Sequence, residues 1–315
     1  MTTPFRFTVF FAVFLGGPAA HAGTPQGPEI RTEDVARFYA LYDATGGKPT
    51  VEQIEKDYLA RGTQSLAEFA RLRRVTAQSI ADRLQSDPAM YAKAKQCLAT
   101  LPAVEQRLAA AFTRLATLYP EAKFPPVAIV VGRGRPVGMT YPGGLTIGLE
   151  ALCAADFMNP DVEDRFVHVI AHEYGHIQQT APTDFEKDDP NATVLRVSLA
   201  EGVAELVAEL ISGDVGNPRL AQWSHGKEAQ IESAFARDMD STDLSAWLFN
   251  YRGPDEPYDM GYWVGYRIAK AYYLKAGDRK AALRNAIELD DPKTFLAASG
   301  WTPGMALPAS VAAED

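Results

Sequence analysis

The sequence predicts a mostly α (α+β) fold, and three observations carry that expectation. Apolar residues recur at three- and four-residue steps along most of the chain, the pattern of helices with one buried face. A single β-branched run, "PVAIVV" from Pro126, breaks this rhythm between proline and glycine and reads as a strand. Of the 315 residues 47% are hydrophobic and 23% charged, enough to bury the core of one large domain or two modest ones.

Residues 1–22 read as an export signal. "MTTPFR" is a weakly basic start, "FTVFFAVFLGG" an apolar stretch, and Ala20-His21-Ala22 a small-x-small cleavage site. The apolar run falls short of the roughly 20 residues that a membrane-spanning helix needs. The expectation is therefore a periplasmic or secreted protein with no stable membrane insertion after the signal is removed.

Residues 23–125 form an N-terminal helical region. "RTEDVARFYALYDA", "TVEQIEKDYLARG" and "SLAEFARLRRVTAQSIADRLQ" are periodic, and Ser65 with Glu68 suggests a capping box. A long helix is expected over Tyr91–Leu118. From 126 to 301 the texture is α+β. "PVAIVV" is a strand, and "YPGGLTIGLEAL" a turn and a second short strand. Helices follow over Val162–Thr180 with Asp161 as cap, Thr193–Ser212 closed by Gly213, Arg219–Asp238, and Tyr258–Ala276. The tail 302–315 has little to bury and is expected to be loose.

A formal net charge of -9 argues against a nucleic-acid partner, which would need clustered Lys and Arg. Two cysteines, Cys97 and Cys153, are too few for a thiolate zinc site. They could form one disulfide in an oxidising compartment or remain two buried thiols.

The chain has five histidines, and three fall at 168, 172 and 176 in "VHVIAHEYGHIQQ". In "HEYGH", His172 and His176 are four residues apart, so one helix face brings both imidazoles to a common cation. Glu173 is placed to deprotonate a water held there. Gly175 in mid-helix costs about 1 kcal/mol relative to Ala, which suggests close packing or access for a ligand. The metzincin pattern fails, since Gln179 and Pro182 stand where Gly and His are required. In "LAEGVAELVAEL", 25 positions past His176, Glu201 and Glu205 share a helix face among apolar neighbours. Glu201 would complete a His-His-Glu set, and Glu205 could accept the outer N–H of a ligating imidazole. Asp184, in a hydrophilic loop, is a weaker candidate for third ligand. His168 lies about 12 Å along the helix from His176, too far to share the ion, and reads as a packing or supporting residue. His225 reads as surface.

In "PYDMGYWVGYRIAKAYY", Tyr258, Tyr262 and Tyr266 repeat at four-residue steps, an arrangement that could equally be a packed aromatic stripe. Tyr262 is the candidate donor to an oxyanion. Arg267 could bind a substrate carboxylate or pair with a glutamate.

These segments in this order resemble the bacterial family of predicted zinc-dependent proteases related to a gliding-motility lipoprotein. The resemblance runs through "GGLTIGLE", "AHEYGHIQQ", "LAEGVAELVAELISG", "GYWVGYRIAKAYY" and "FLAASGW", roughly Pro126 to Trp301. It implies a zincin-like metallopeptidase core of gluzincin type, with Zn2+ held by His172, His176 and Glu201, Glu173 as general base, and a peptide or protein substrate. Unlike the lipoprotein relatives, this chain has no cysteine at the cleavage site. Two other readings stay open: a non-catalytic zinc protein serving envelope assembly, and a zinc hydrolase of a non-peptide amide.

Overall fold

The computed structural model describes residues 28–311 except 136, 142, 181–188 and 254. The expected export signal and Asp184 lie outside the described residues. The N-terminal part contains strand β1 (Ile30–Arg31) and helices α1 (Glu33–Ala44), α2 (Val51–Gln53), α3 (Gln64–Arg73), α4 (Ala77–Ser86), α5 (Pro88–Cys97) and α6 (Leu101–Leu118). Strands β2 (Val127–Val130), β3 (Gly138–Tyr141) and β4 (Gly144–Gly148) follow, then helix α7 (Leu149–Ala154). The rest is helical: α8 (Val162–Gln178), α9 (Val194–Ser212), α10 (Arg219–Ser224), α11 (Glu228–Asp238), α12 (Met260–Lys275), α13 (Arg279–Glu288) and α14 (Pro292–Ser299). The fold is thus mostly α with one small sheet.

The sheet has the order β1-β2-β4-β3, with β1, β2 and β4 parallel and β3 antiparallel at the edge. Every residue of β2 and β4 is buried, as a strand covered on both faces requires. Helices α1 and α3 pack on β2, and α8 packs on β3 and β4. β1 links the N-terminal region to strands that lie beyond Pro126. Three further ties cross the same boundary. The Tyr58 hydroxyl donates to the Val131 carbonyl at 2.7 Å, the Tyr91 hydroxyl to the Gly132 carbonyl at 2.9 Å, and a disulfide joins Cys97 to Cys153.

Several boundaries differ from the expectation for identifiable reasons. Pro102 in the first turn of α6 has no N–H to continue a helix, so the segment read as one helix from Tyr91 to Leu118 is two. Gly226, at φ 75°, separates α10 from α11. Helix α3 begins one residue before Ser65, so Thr63 is its cap, accepting from the Leu66 N–H; Ser65 instead bonds the Tyr141 hydroxyl at 2.8 Å. β1 and β3 were hidden, one by its two-residue length and the other by the glycine- and proline-rich stretch around it. Asp161 does cap α8, accepting from the Asp164 N–H at 2.9 Å.

The tail corrects an expectation outright. As far as Val311 it is fastened down rather than loose: the Ala309 carbonyl accepts from Lys270 Nζ at 3.1 Å, and the Val311 N–H donates to Glu209 Oε1 at 3.0 Å. Met305 and Leu307 pack against the core. Among the described residues no helix is long and apolar enough to cross a membrane.

Helix α9 is the axis of the molecule. Nearly all its residues are buried, as expected of a helix that is apolar all round. It lies against α6, α8 and α12. The last two approaches are set by small residues. A β-carbon on Gly175 of α8 would lie 2.7 Å from Ala204 Cα, and one on Gly202 of α9 would lie 2.0 Å from the Gly265 carbonyl carbon of α12. Backbone meets backbone at both places. The cost of a mid-helix glycine at 175 is thereby explained by packing.

Candidate metal centre

Helix α8 turns Phe166, Ile170, Ala171 and Tyr174 into the core. His172 and His176 lie on another face, one turn apart, with their Nε2 atoms 3.1 Å from each other. Helix α9, drawn close by the glycine contacts, brings Glu201 to them. Its Oε2 lies 3.0 Å from His176 Nε2 and 3.4 Å from His172 Nε2. The two imidazoles are each 11% exposed and the carboxylate 13%, so the cluster is largely buried and retains a small solvent-exposed area.

The electrostatics follow from this crowding. Burial alone would push the His172 pKa down, but Glu205 and Glu201 outweigh it and hold the group well above its ordinary value. Burial likewise opposes the charge on His176, and Glu201 reverses the outcome upward. Glu201, which burial would raise, is held far below the usual carboxylate range by the two imidazoles.

Two neutral imidazoles and one carboxylate are a donor set that suits zinc, and three protein donors leave a fourth position for water. The surroundings hold the rings in place. His176 Nδ1 is 2.8 Å from Gln179 Oε1, and Gln179 Nε2 donates to the Ala200 carbonyl at 2.6 Å. Glu205 faces the other ring: its Oε1 lies 3.5 Å from His172 Nδ1, which is buried and has no closer partner among the described residues. The Gly216 N–H fixes the second oxygen of Glu205. Sequence reasoning missed Gln179. Its position three residues past His176, where α8 ends, was the available signal.

His168 sits apart from the cluster. Its Nδ1 is 2.8 Å from Ser212 Oγ, and Asp164 lies 3.8 Å from its other nitrogen. Arg267 pairs with the buried Glu232 and donates to the Met305 carbonyl, which answers the open question about its partner. His225 is exposed.

Glu173 points away from the core toward the edge strand. A β-carbon on Gly138 of β3 would lie 2.7 Å from Glu173 Oε1. The Tyr262 ring stacks on His172 with centroids 6.1 Å apart and planes at 20°. Burial, and then the negative charge of Glu201, pushes the Tyr262 phenol well above its usual pKa. The other two tyrosines of the stripe are engaged elsewhere. The Tyr258 hydroxyl accepts from Asn217 Nδ2 at 2.9 Å, and the Tyr266 hydroxyl donates to Glu209 Oε2 at 2.7 Å.

Residues 133–290, half of the chain, match the family model described as Predicted Zn-dependent protease (DUF2268). No curated protein and no solved structure matches the chain. The matched segment contains His172, Glu173, His176, Glu201, Glu205 and Tyr262, and on its extent the chain belongs to the DUF2268 family of predicted Zn-dependent proteases.

Proposed function

We propose that the protein is an exported zinc metallopeptidase in which His172, His176 and Glu201 hold the ion. The observation that carries this reading is the convergence of the two Nε2 atoms and Glu201 Oε2 within 3.4 Å of one another. Zinc bound by such a set lowers the pKa of water to near neutrality and polarises a carbonyl. Glu173, beside the cluster and clear of the core, takes a proton from the attacking water and passes it to the leaving amine. Tyr262, kept protonated by its surroundings, donates to the carbonyl oxygen as negative charge grows on it. Gln179 and Glu205 keep the imidazoles in the tautomer and orientation that ligation needs.

Two features support a peptide substrate and export. β3 is the edge of the sheet and runs beside Glu173, so an extended peptide could add to it through main-chain hydrogen bonds. The Cys97–Cys153 disulfide suits an oxidising compartment.

The test compares the parent with Glu173→Gln, measuring zinc by elemental analysis and digestion of a broad peptide library. We expect equal zinc in both and cleavage by the parent alone. A variant as active as the parent would remove Glu173 from the mechanism. A parent that holds zinc and cleaves nothing would favour the assembly role instead.

A further inference from the structure

Among the described residues three large hydrophobic side chains are exposed, Leu72, Phe249 and Tyr251. Two of them share the loop between α11 and α12. The loop buries Trp247 and Leu248 and then turns Phe249 outward, 65% exposed. It does so with the Phe249 backbone at φ 57°, a left-handed conformation that a bulky residue rarely adopts. Asn250 and Asp259 brace the turn reciprocally: the Asn250 N–H donates to Asp259 Oδ1 at 3.0 Å, and the Asp259 N–H to Asn250 Oδ1 at 2.7 Å. Asp259 is itself left-handed, at φ 47°.

This bracing aims the ring at a particular place. Phe249 meets Tyr262 edge-on, with centroids 6.5 Å apart, and Tyr262 stacks on His172. Tyr251 continues the apolar surface, stacked on Phe157 at 4.6 Å and edge-on to Tyr258 at 4.8 Å. A single exposed aromatic needs no explanation. One whose backbone is braced by its neighbours, turned to solvent beside Tyr262 and next to exposed Tyr251, offers an apolar surface of the kind on which a ligand can pack.

We propose that Phe249 is a specificity-determining residue, an apolar wall for a large hydrophobic side chain of the peptide next to the bond that is cut. This rests on the peptidase reading above. It follows that peptides with Leu or Phe beside the cleaved bond are preferred over those with Ser or Gly. One apolar side chain in such a setting discriminates by roughly tenfold or more.

The experiment uses the full mature chain loaded with zinc. Peptides differing only in Leu or Ser at the positions flanking the cleaved bond are compared in the parent, Phe249→Ala and Phe249→Leu. The Leu-over-Ser ratio of kcat/KM should fall about tenfold in Phe249→Ala, mainly through KM, and be retained in Phe249→Leu, with equal zinc content throughout. A second arm measures binding of the same peptides to Glu173→Gln, with and without Phe249→Ala. It reads the same selectivity even if the parent proves unable to cleave, which would sink the peptidase reading separately. The same Leu-over-Ser ratio in parent and Phe249→Ala, in turnover or in binding, overturns the proposal. So does a parent that dimerises through this patch, shown by a mass halved in Phe249→Ala with unaltered peptide selectivity.

Discussion

Gly265 of α12 leaves no room for a side chain against Ser198 of α9: a β-carbon there would lie 1.7 Å from the Ser198 carbonyl oxygen. The obstacle is main chain, which no rotamer change can relieve. Gly265→Ala must therefore push the two helices apart, at about 3 kcal/mol, the upper range for overpacking. A lower denaturant midpoint and reduced zinc content are expected together, because Glu201 rides on the displaced helix. A variant with the parent's midpoint would show that the helices tolerate the separation.

Glu201→Gln should lose more zinc than Gln179→Ala. The first removes a proposed ligand, whereas the second frees the ring of His176 and should weaken affinity roughly 10–100-fold. Competition with a chromogenic chelator measures both. Unchanged stoichiometry and affinity in Glu201→Gln would exclude Glu201 from the ligand set.

Tyr262→Phe keeps the ring that stacks on His172 and removes only the hydroxyl. Turnover should fall by roughly 10²-fold, as for loss of one oxyanion donor, with zinc content and KM little altered. Full activity would assign the tyrosine to packing alone.

His168 makes stability depend on pH. Burial lowers its folded-state pKa below the ordinary value of 6.5. The contribution is thus complete above about pH 6.5 and is lost as pH falls through the lowered folded value. Thermal unfolding between about pH 8 and 5 should show a steeper acid-side loss in the parent than in His168→Gln. Parallel curves would contradict this.

The pair of imidazoles was legible in the sequence because four-residue spacing is a property of the helix itself. Glu201 and Glu205 were legible because carboxylates among so many apolar neighbours need partners. Gln179 was not, since its role depends on where α8 ends and on the Ala200 carbonyl it reaches. The three tyrosines looked alike for a related reason. Asn217 and Glu209 occupy two of the hydroxyls, and neither is adjacent to them in sequence. β3, only four residues long, pairs with β4 along its whole length, and that partner is not visible in its own short run. Contacts between distant segments decide such points, and a periodicity contains no record of them.

The hold on Ala309 and Val311 has a practical side. Lys270 is 2% exposed and Glu209 4%, and the last described residues supply each with a backbone partner. Trimming the chain near Thr302, by a protease or by cloning, would therefore strip an ammonium and a carboxylate of their backbone companions in the interior. Any preparation clipped before Val311 should be judged by its melting behaviour before its activity is compared.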